Sequence, residues 1–203
     1  MDTARAQRLP RDQRRAQLLD AAYEVFSTRG YHSVAMDEVA VASGVSKPVL
    51  YQHFSSKLEL YLALLDRACS ELVELVAGAV ASSTHNRDRV AAAMGAFFGF
   101  VAQQRRSFRF VFESDLRTEP EVELRIRAVH TELAALIGAV IAADTDLPVA
   151  EAELLGMSLI GMAETSARFW AAAPGQITQE RAVELGSSLA WRGVRGFPRT
   201  TTG

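Results

Sequence analysis

The sequence has almost no cysteine and, by our reading, no uninterrupted apolar run long enough to cross a bilayer. Cys69 is the single cysteine among 203 residues, which excludes an internal disulfide and fits a reducing compartment. We interpret it as a small apolar residue on a helix rather than a redox group. No signal-peptide pattern opens the chain, and charges or prolines interrupt its most apolar stretches. These absences predict a cytoplasmic protein without a membrane segment.

Short motifs of common enzyme classes are also missing. The sequence contains no Gly-x-x-x-x-Gly-Lys, no Gly-x-Gly-x-x-Gly, no Gly-x-Ser-x-Gly and no His-Glu-x-x-His. The four histidines are scattered along the chain, which favours neither a zinc site nor a catalytic triad: His32, His53, His85 and His130. We therefore expect no catalytic residues, no metal and no cofactor. The net charge of −2 gives no argument for nucleic acid by itself.

Apolar residues at helical spacing predict an all-α fold of about nine helices. Residues 1–11 are interpreted as a flexible arm, either simply disordered or placing arginines against DNA. Residues 12–60 should form a three-helix N-terminal domain and residues 61–198 a helical C-terminal domain, followed by a disordered tail over 199–203. A short helix is expected from Ser107, and capping boxes are expected at Ser56–Glu59 and Thr118–Glu121. Asn86 is a predicted N-cap.

A helix-turn-helix is predicted between Met36 and Phe54. Gly44 follows the first helical pattern, where a sharp turn with positive φ needs a residue without Cβ. Ser46 is a good N-cap for the next helix, in whose first turn a proline is tolerated. Leu50 and Phe54 lie four residues apart and should share the buried face, so the polar and aromatic residues between them point outward.

From Arg15 to Leu62 the chain resembles the DNA-binding domain of TetR-family transcription regulators. The matching features are Arg29-Gly30-Tyr31, Gly44-Val45-Ser46, Leu50-Tyr51-x-His53-Phe54 and Lys57. The resemblance implies an N-terminal helix-turn-helix domain and a C-terminal ligand-binding and dimerisation domain. It also implies binding to double-stranded DNA at an inverted repeat, with recognition helices about 34 Å apart in a two-fold dimer.

The resemblance places the DNA contacts on and around the second helix of the motif. Phosphate contacts are expected from Tyr51, His53 and Lys57. Ser33 stands where many members have a threonine, and it is only a weak substitute. The N-cap Ser46 belongs to the same surface. The residues expected nearest the bases are Lys47, Pro48, Val49 and Gln52, since Gln pairs with adenine, Lys reaches guanine and apolar groups touch a thymine methyl.

Six of the ten phenylalanines fall between residues 97 and 112, and core packing is the default interpretation of each. With the methionines and aromatics of the eighth predicted helix, they also suit a pocket for an apolar ligand. The predicted lining is Met94, Phe97, Phe98, Val101, Phe108, Phe112, Met157, Met162, Phe169 and Trp170. Gly95-x-x-x-Gly99 should make room for a neighbouring helix or for the ligand.

Four stretches look like the actinobacterial FasR-type subgroup, which is known as acyl-CoA-responsive activators of fatty acid synthase genes: LPRDQRRAQLL, SKPVLYQHFSSKLELYLALL, FRFVFESDLRTEPEV and GMAETSARFW. The resemblance implies a long-chain acyl-CoA effector. It also implies a homodimer formed by the last two helices, for which we expect a small-residue surface of Gly156, Ser158, Gly161, Ala163, Gly186, Ser187 and Ala190. Alternatives are a repressor of efflux or catabolic genes that responds to another hydrophobe, and a lipid carrier or acyl-handling enzyme with a vestigial helix-turn-helix.

Overall fold

The computed structural model describes residues 10–103, 116 and 118–194. Across these ranges the protein contains eight helices and no strand, which confirms the predicted all-α fold. The chain divides into two compact units, Met1–Leu65 and Asp66–Gly203. The predicted arm up to residue 9, the short helix from Ser107 and the tail lie outside the described residues.

The eight helices follow the predicted order. The first unit contains α1 (Arg11–Arg29), α2 (Met36–Ala42), α3 (Lys47–His53) and the beginning of α4 (Lys57–Ala81). The second unit contains the rest of α4, then α5 (Asn86–Gln103), α6 (Pro120–Asp144), α7 (Val149–Ala172) and α8 (Gln179–Val194). Since α4 begins in one unit and ends in the other, a single helix belongs to both.

Several helix ends differ from the predicted caps. Ser46 is the N-cap of α3, but its hydroxyl makes no capping bond. Asn86 is the first residue of α5 rather than its cap, because the amides of Asp88 and Arg89 donate to the carbonyl of His85. The predicted box at Thr118 is also wrong, since Glu119 is the N-cap of α6 without a side-chain bond.

The first unit is built on the apolar faces predicted for its helices. Fully or almost fully buried side chains come from all of its helices and from the residue after α3: Leu18, Ala22, Phe26, Val39, Ala40, Leu50, Phe54, Leu60 and Leu64. Gly44 has a φ of 66°, as the turn between α2 and α3 requires. The amides of Gly44 and Val45 donate to the carbonyls of Val41 and Ala40 over 3.1 Å in both cases. This turn fixes the direction of α3.

In the second unit α6 and α7 cross closely at small residues. A Cβ on Gly156 would overlap the carbonyl oxygen of Ala134 and lie 3.1 Å from the carbonyl carbon of that residue. A Cβ on Gly138 would lie 3.0 Å from the Cα of Glu153 and 3.2 Å from the carbonyl carbon of Ala152. Ala134 and Gly138 are four residues apart, as are Ala152 and Gly156. Both helices therefore present a pair of small residues at the crossing.

The small residues predicted to form a surface on the last two helices are only partly exposed. Gly156, Ala163 and Ala190 are buried inside the second unit, and a Cβ on Gly186 would lie 3.6 Å from the sulfur of Met94. These residues therefore do not form an exposed surface, whereas Ser158 and Gly161 of the same predicted set are exposed. At Gly95 a Cβ would meet nothing within 4 Å among the described atoms. The predicted close contact at that position is also absent from the described part of the chain.

Among the described helices, α6 is long and apolar enough by composition to cross a membrane, which corrects the expectation that no segment would be. Its most apolar 18 residues have a mean hydropathy of 1.6, and 33% of them are buried. The helix buries one face, formed by Val122, Ile126, Val129, Leu133, Ala134, Gly138 and Ile141. Core helices of soluble proteins meet the same criterion, and α6 packs along α7 in the second unit.

Candidate functional site

The outward surface of α3 carries the residues predicted to meet DNA. Lys47, Pro48, Tyr51 and Gln52 are exposed, whereas Leu50 behind them is fully buried. Val49 and His53 are half-buried. The buried side chain of Leu50 anchors α3 in the first unit. The polar face of the helix therefore has a fixed orientation. A helix presented in this way fits the major groove of B-DNA.

Arg15 of α1 supports the C-terminal end of α3 and was not singled out from the sequence. Its guanidinium lies 4.2 Å from the centre of the Phe54 ring. The Nη1 atom donates to the carbonyl oxygen of His53 over 3.1 Å, which satisfies one of the acceptors that a helix leaves open at its end. Arg15 therefore holds α3 against α1.

His53 lies in a positively charged environment. Burial, followed by the guanidinium groups of Arg11, Arg15 and Arg14, lowers the pKa of the His53 imidazole below its usual value. The imidazole is consequently neutral at pH 7 in the free protein. A phosphate placed beside it would favour the protonated form.

Lys57 at the start of α4 rests on an aromatic ring. Its Nζ atom lies 4.3 Å from the centre of the Tyr31 ring, and the ring faces further aromatics of the same unit, Phe26 and Tyr61. Burial lowers the pKa of the Lys57 ammonium, while Glu38 acts in the opposite direction. The ring orients the ammonium without supplying a full counter-charge, so the cation stays available to a phosphate.

Ser33 and Lys47 each contact another residue of the first unit. Ser33 is exposed in the loop before α2, where its carbonyl accepts from Nη2 of Arg29 over 3.2 Å. Lys47 is the first residue of α3, and its Nζ atom lies 2.7 Å from Oδ1 of Asp37 on α2. The sequence analysis placed Lys47 near the bases without identifying Asp37 as its partner, because the crossing of two helices brings the two residues together.

The second unit contains an apolar cavity of about 80 Å³. Apolar side chains from five helices line most of it: Val76 and Val80 of α4, Val90, Ala93, Met94 and Phe97 of α5, Ile137, Val140 and Ile141 of α6, Leu159, Ile160 and Ala163 of α7, and Ala190 and Trp191 of α8. Four polar residues complete the lining, namely Asn86, Arg89, Asp144 and Thr145. Such a lining suits the hydrocarbon part of an amphiphilic molecule.

The polar lining residues lie in the first turn of α5 and at the end of α6. Arg89 donates through Nε to the carbonyl of Ser83 over 2.7 Å and through Nη1 to Oδ1 of Asn86 over 3.0 Å. Thr145 donates to the carbonyl of Ile141 over 2.7 Å. These bonds hold the guanidinium of Arg89 in position in the lining, where Asn86, Asp144 and Thr145 are the other polar residues.

Only part of the predicted pocket lies at this cavity. Met94 and Phe97 line it. Phe98 and Val101 are buried elsewhere, with the Phe98 ring centre 5.6 Å from that of Trp170. Trp170 donates through Nε1 to the carbonyl of Ile177 over 2.9 Å, and thus fastens the connection between α7 and α8.

Three further predicted pocket residues that the structure describes are not brought to the cavity. Met162 is half-buried, while Met157 and Phe169 have exposed fractions of 40% and 69%. Phe108 and Phe112 lie outside the described residues. The sequence reasoning favoured aromatic and methionine residues, whereas most of the lining is aliphatic. The spacing of Ile137, Val140 and Ile141 along α6 is a signal that could have identified part of it.

Exposed apolar residues form a stripe on α7 and α8. On α7 the stripe contains Leu154, Met157, Ser158, Gly161, Thr165 and Phe169, and on α8 it contains Leu185 and Leu189. The exposed fractions reach 66% at Leu154, 69% at Phe169 and 63% at Leu189. Exposed large apolar residues of this kind are typical of a surface that another protein covers.

Both parts of the chain match known families. Residues 18–64 match the bacterial regulatory proteins of the tetR family, and residues 86–193 match the tetracyclin repressor-like C-terminal domain. The HTH-type transcriptional activator FasR of Mycolicibacterium smegmatis is 44% identical over 196 residues, covering 97% of this chain and 90% of that protein. The fatty acid metabolism regulator protein of Bacillus subtilis is 24% identical over 109 residues, covering 54% of this chain and 55% of that protein.

A solved structure also resembles the protein over most of its length. The TetR-like transcriptional regulator from Rhodococcus sp. RHA1 has a TM-score of 0.74 and 34% sequence identity, and the match covers 93% of this chain and 100% of that chain.

Proposed function

Since this chain belongs to the TetR family of bacterial transcription regulators, we propose that it controls fatty acid or lipid biosynthesis genes in response to a long-chain acyl-CoA. It is a regulator and not an enzyme, like its family. The observation that supports the effector is the cavity, which is lined mostly by aliphatic side chains and by four polar residues that include Arg89. The similarity to the activator FasR, together with the partial similarity to a fatty acid metabolism regulator protein, supports this class of genes.

The acyl chain occupies the aliphatic part of the cavity, and Arg89 meets the polar head group. A cavity of about 80 Å³ is several-fold smaller than the roughly 300–1,000 Å³ of typical ligand sites. A long chain must therefore push the lining helices apart. Val76 and Val80 of α4 belong to that lining, and the same helix begins in the DNA-binding unit. Widening of the cavity thus moves a helix that both units share.

The protein acts as a two-fold dimer on an inverted repeat. The exposed stripe on α7 and α8 is the proposed interface, since it removes large apolar side chains from water when a second copy covers it. Acyl-CoA favours a wider spacing of the two α3 helices that no longer fits DNA. Effector and operator then weaken each other equally, by about 1–3 kcal/mol, or 5- to 150-fold.

Fluorescence anisotropy with a fatty-acid-synthase promoter fragment and a scrambled duplex tests this proposal. Long-chain acyl-CoA, short-chain acyl-CoA and free fatty acid are titrated at constant salt. We expect release from the promoter fragment by the long-chain acyl-CoA alone. Unchanged operator affinity under saturating long-chain acyl-CoA would refute the effector, and release by another hydrophobe would favour a repressor of efflux or catabolic genes.

A matched pair of variants on α5 tests whether the response to acyl-CoA depends on the cavity. Ala93 lines the cavity, whereas Ala91 two residues earlier is exposed. Ala93→Leu partly fills the space and should weaken the acyl-CoA response about tenfold or more, while Ala91→Leu should leave it unchanged. Trp191, one of two tryptophans, lies in the lining. In a Trp170→Phe background its fluorescence reports ligand entry without DNA, and equal responses of both leucine variants would place the ligand elsewhere.

A further inference from the structure

The first unit holds an ion pair between the two helices of its helix-turn-helix. Nζ of Lys47, the first residue of α3, lies 2.7 Å from Oδ1 of Asp37, the second residue of α2. The two side chains are 57% and 63% exposed. The hydrogen bond and charge of Asp37 raise the pKa of the Lys47 ammonium. An acidic side chain on the proposed DNA-binding surface is unexpected, because DNA phosphates repel its negative charge.

This pair sets Lys47 apart from the neighbouring cations. Lys57 and Arg15 are held by the rings of Tyr31 and Phe54, which orient a cation without cancelling its charge. The carboxylate of Asp37 does cancel the charge of Lys47. A free lysine is a flexible point charge that binds any phosphate within reach, so a paired lysine contributes less to binding that ignores sequence.

We propose that Asp37 is a positioning residue for DNA specificity, which keeps Lys47 off the phosphate backbone on non-operator DNA and releases it where a base edge accepts its ammonium. The inference rests on the proposed DNA-binding surface and names a residue that restrains it. Moving Lys47 away from Asp37 leaves the carboxylate without its partner beside DNA, whether the ammonium goes to a phosphate or to a base. We infer that this cost is offset where a guanine lies within reach and offers O6 and N7 as two adjacent acceptors.

Because the pair is exposed, it is weak and screened by salt. A well-placed base can therefore separate it, and the pair does not lock the protein against its operator. On DNA without such a base the pair persists, and Lys47 releases no counterion. On non-operator DNA, each protomer should therefore release one counterion fewer than the number of exposed cations on this surface predicts.

A double-mutant cycle on the full-length dimer tests this inference. Wild type, Asp37→Asn, Lys47→Met and the double variant are titrated with a scrambled duplex at several salt concentrations. Asp37→Asn should tighten binding about fivefold near 0.1 M salt and steepen the slope of log K against log salt by about 0.9 per protomer that binds. Lys47→Met alone should leave the slope unchanged on this duplex but should weaken binding, because it leaves the carboxylate of Asp37 without its partner beside the phosphates. The double variant should match wild type.

An operator selected from a random duplex library supplies the second readout. There the double variant should bind more weakly than wild type by about tenfold or more, through lost discrimination at one base position, although both proteins should bind the scrambled duplex equally. Asp88→Asn on α5 removes the same charge from the other unit and serves as the control for net charge. Thermal unfolding of every variant separates loss of folding from loss of binding.

Three results would overturn the inference. If Asp37→Asn tightens binding equally with and without Lys47, the carboxylate acts only through its charge. If Lys47→Met lowers the slope on the scrambled duplex, Lys47 already binds phosphate in the wild type. If Asp37→Asn changes nothing, the pair is irrelevant to DNA. Absence of salt-dependent DNA binding by the wild type would instead refute the proposed DNA-binding function together with this inference.

Discussion

The crossing of α6 and α7 leads to a stability prediction of defined sign and size. A Cβ on Gly156 would overlap the backbone carbonyl of Ala134, and 3.2 Å would separate it from the Cα of that residue. Backbone atoms cannot rotate away, so the helices must separate. Overpacking of this kind costs about 3 kcal/mol, and alanine in place of helical glycine returns about 1 kcal/mol. Gly156→Ala should therefore destabilise the protein by about 2 kcal/mol.

Gly78 on α4 provides the matched control, since a Cβ there meets nothing within 4 Å of the described atoms. Gly78→Ala should stabilise the protein by about 1 kcal/mol, because only the helix preference changes. Urea and thermal unfolding at one fixed protein concentration measure both variants. Gly156→Ala should lower Tm by about 6 °C and Gly78→Ala should raise it by about 3 °C. A Gly156→Ala protein as stable as wild type would refute the packing argument.

Two further predictions concern DNA binding and assembly. The His53 imidazole has its pKa lowered by burial and then by the guanidinium groups of Arg11, Arg15 and Arg14. A phosphate contact would raise that pKa, so the complex binds more protons than the free protein, and affinity should increase severalfold from about pH 7.5 to about pH 6. His53→Asn should abolish this dependence, and a flat wild-type profile would remove His53 from the contacts. Phe169→Glu on the exposed stripe should convert the dimer to monomer in sedimentation at unchanged helicity, whereas a persistent dimer would place the interface elsewhere.

The helix-turn-helix shows how far local sequence rules reach. Gly44 was expected at a positive φ, and Leu50 and Phe54 were expected on the buried face. The structure gives a φ of 66° at Gly44 and full burial of Leu50 and Phe54. Each of these features depends on residues within a few positions along the chain. Periodicity and turn chemistry therefore suffice to predict them.

The lining of the cavity is a feature that such local rules do not predict. Phe97 and Phe98 are adjacent and both buried, yet only Phe97 lines the cavity. Met157 and Phe169 are residue types that are typical of a pocket lining, but their side chains are exposed. Helical spacing tells which residues share a face of one helix. It does not tell which other helix, or which empty space, that face meets.

The sequence by itself determined the all-α class, the helix-turn-helix and the family, because these depend on local periodicity and on an ordered series of motifs. Tertiary structure decided which side chains meet. It placed Gly156 against Ala134, it paired Lys47 with Asp37, and it made an aliphatic rather than aromatic cavity. The physical reason is that these contacts depend on the crossing angles and separations of helices distant in the chain, which emerge only when all the packing faces are satisfied together.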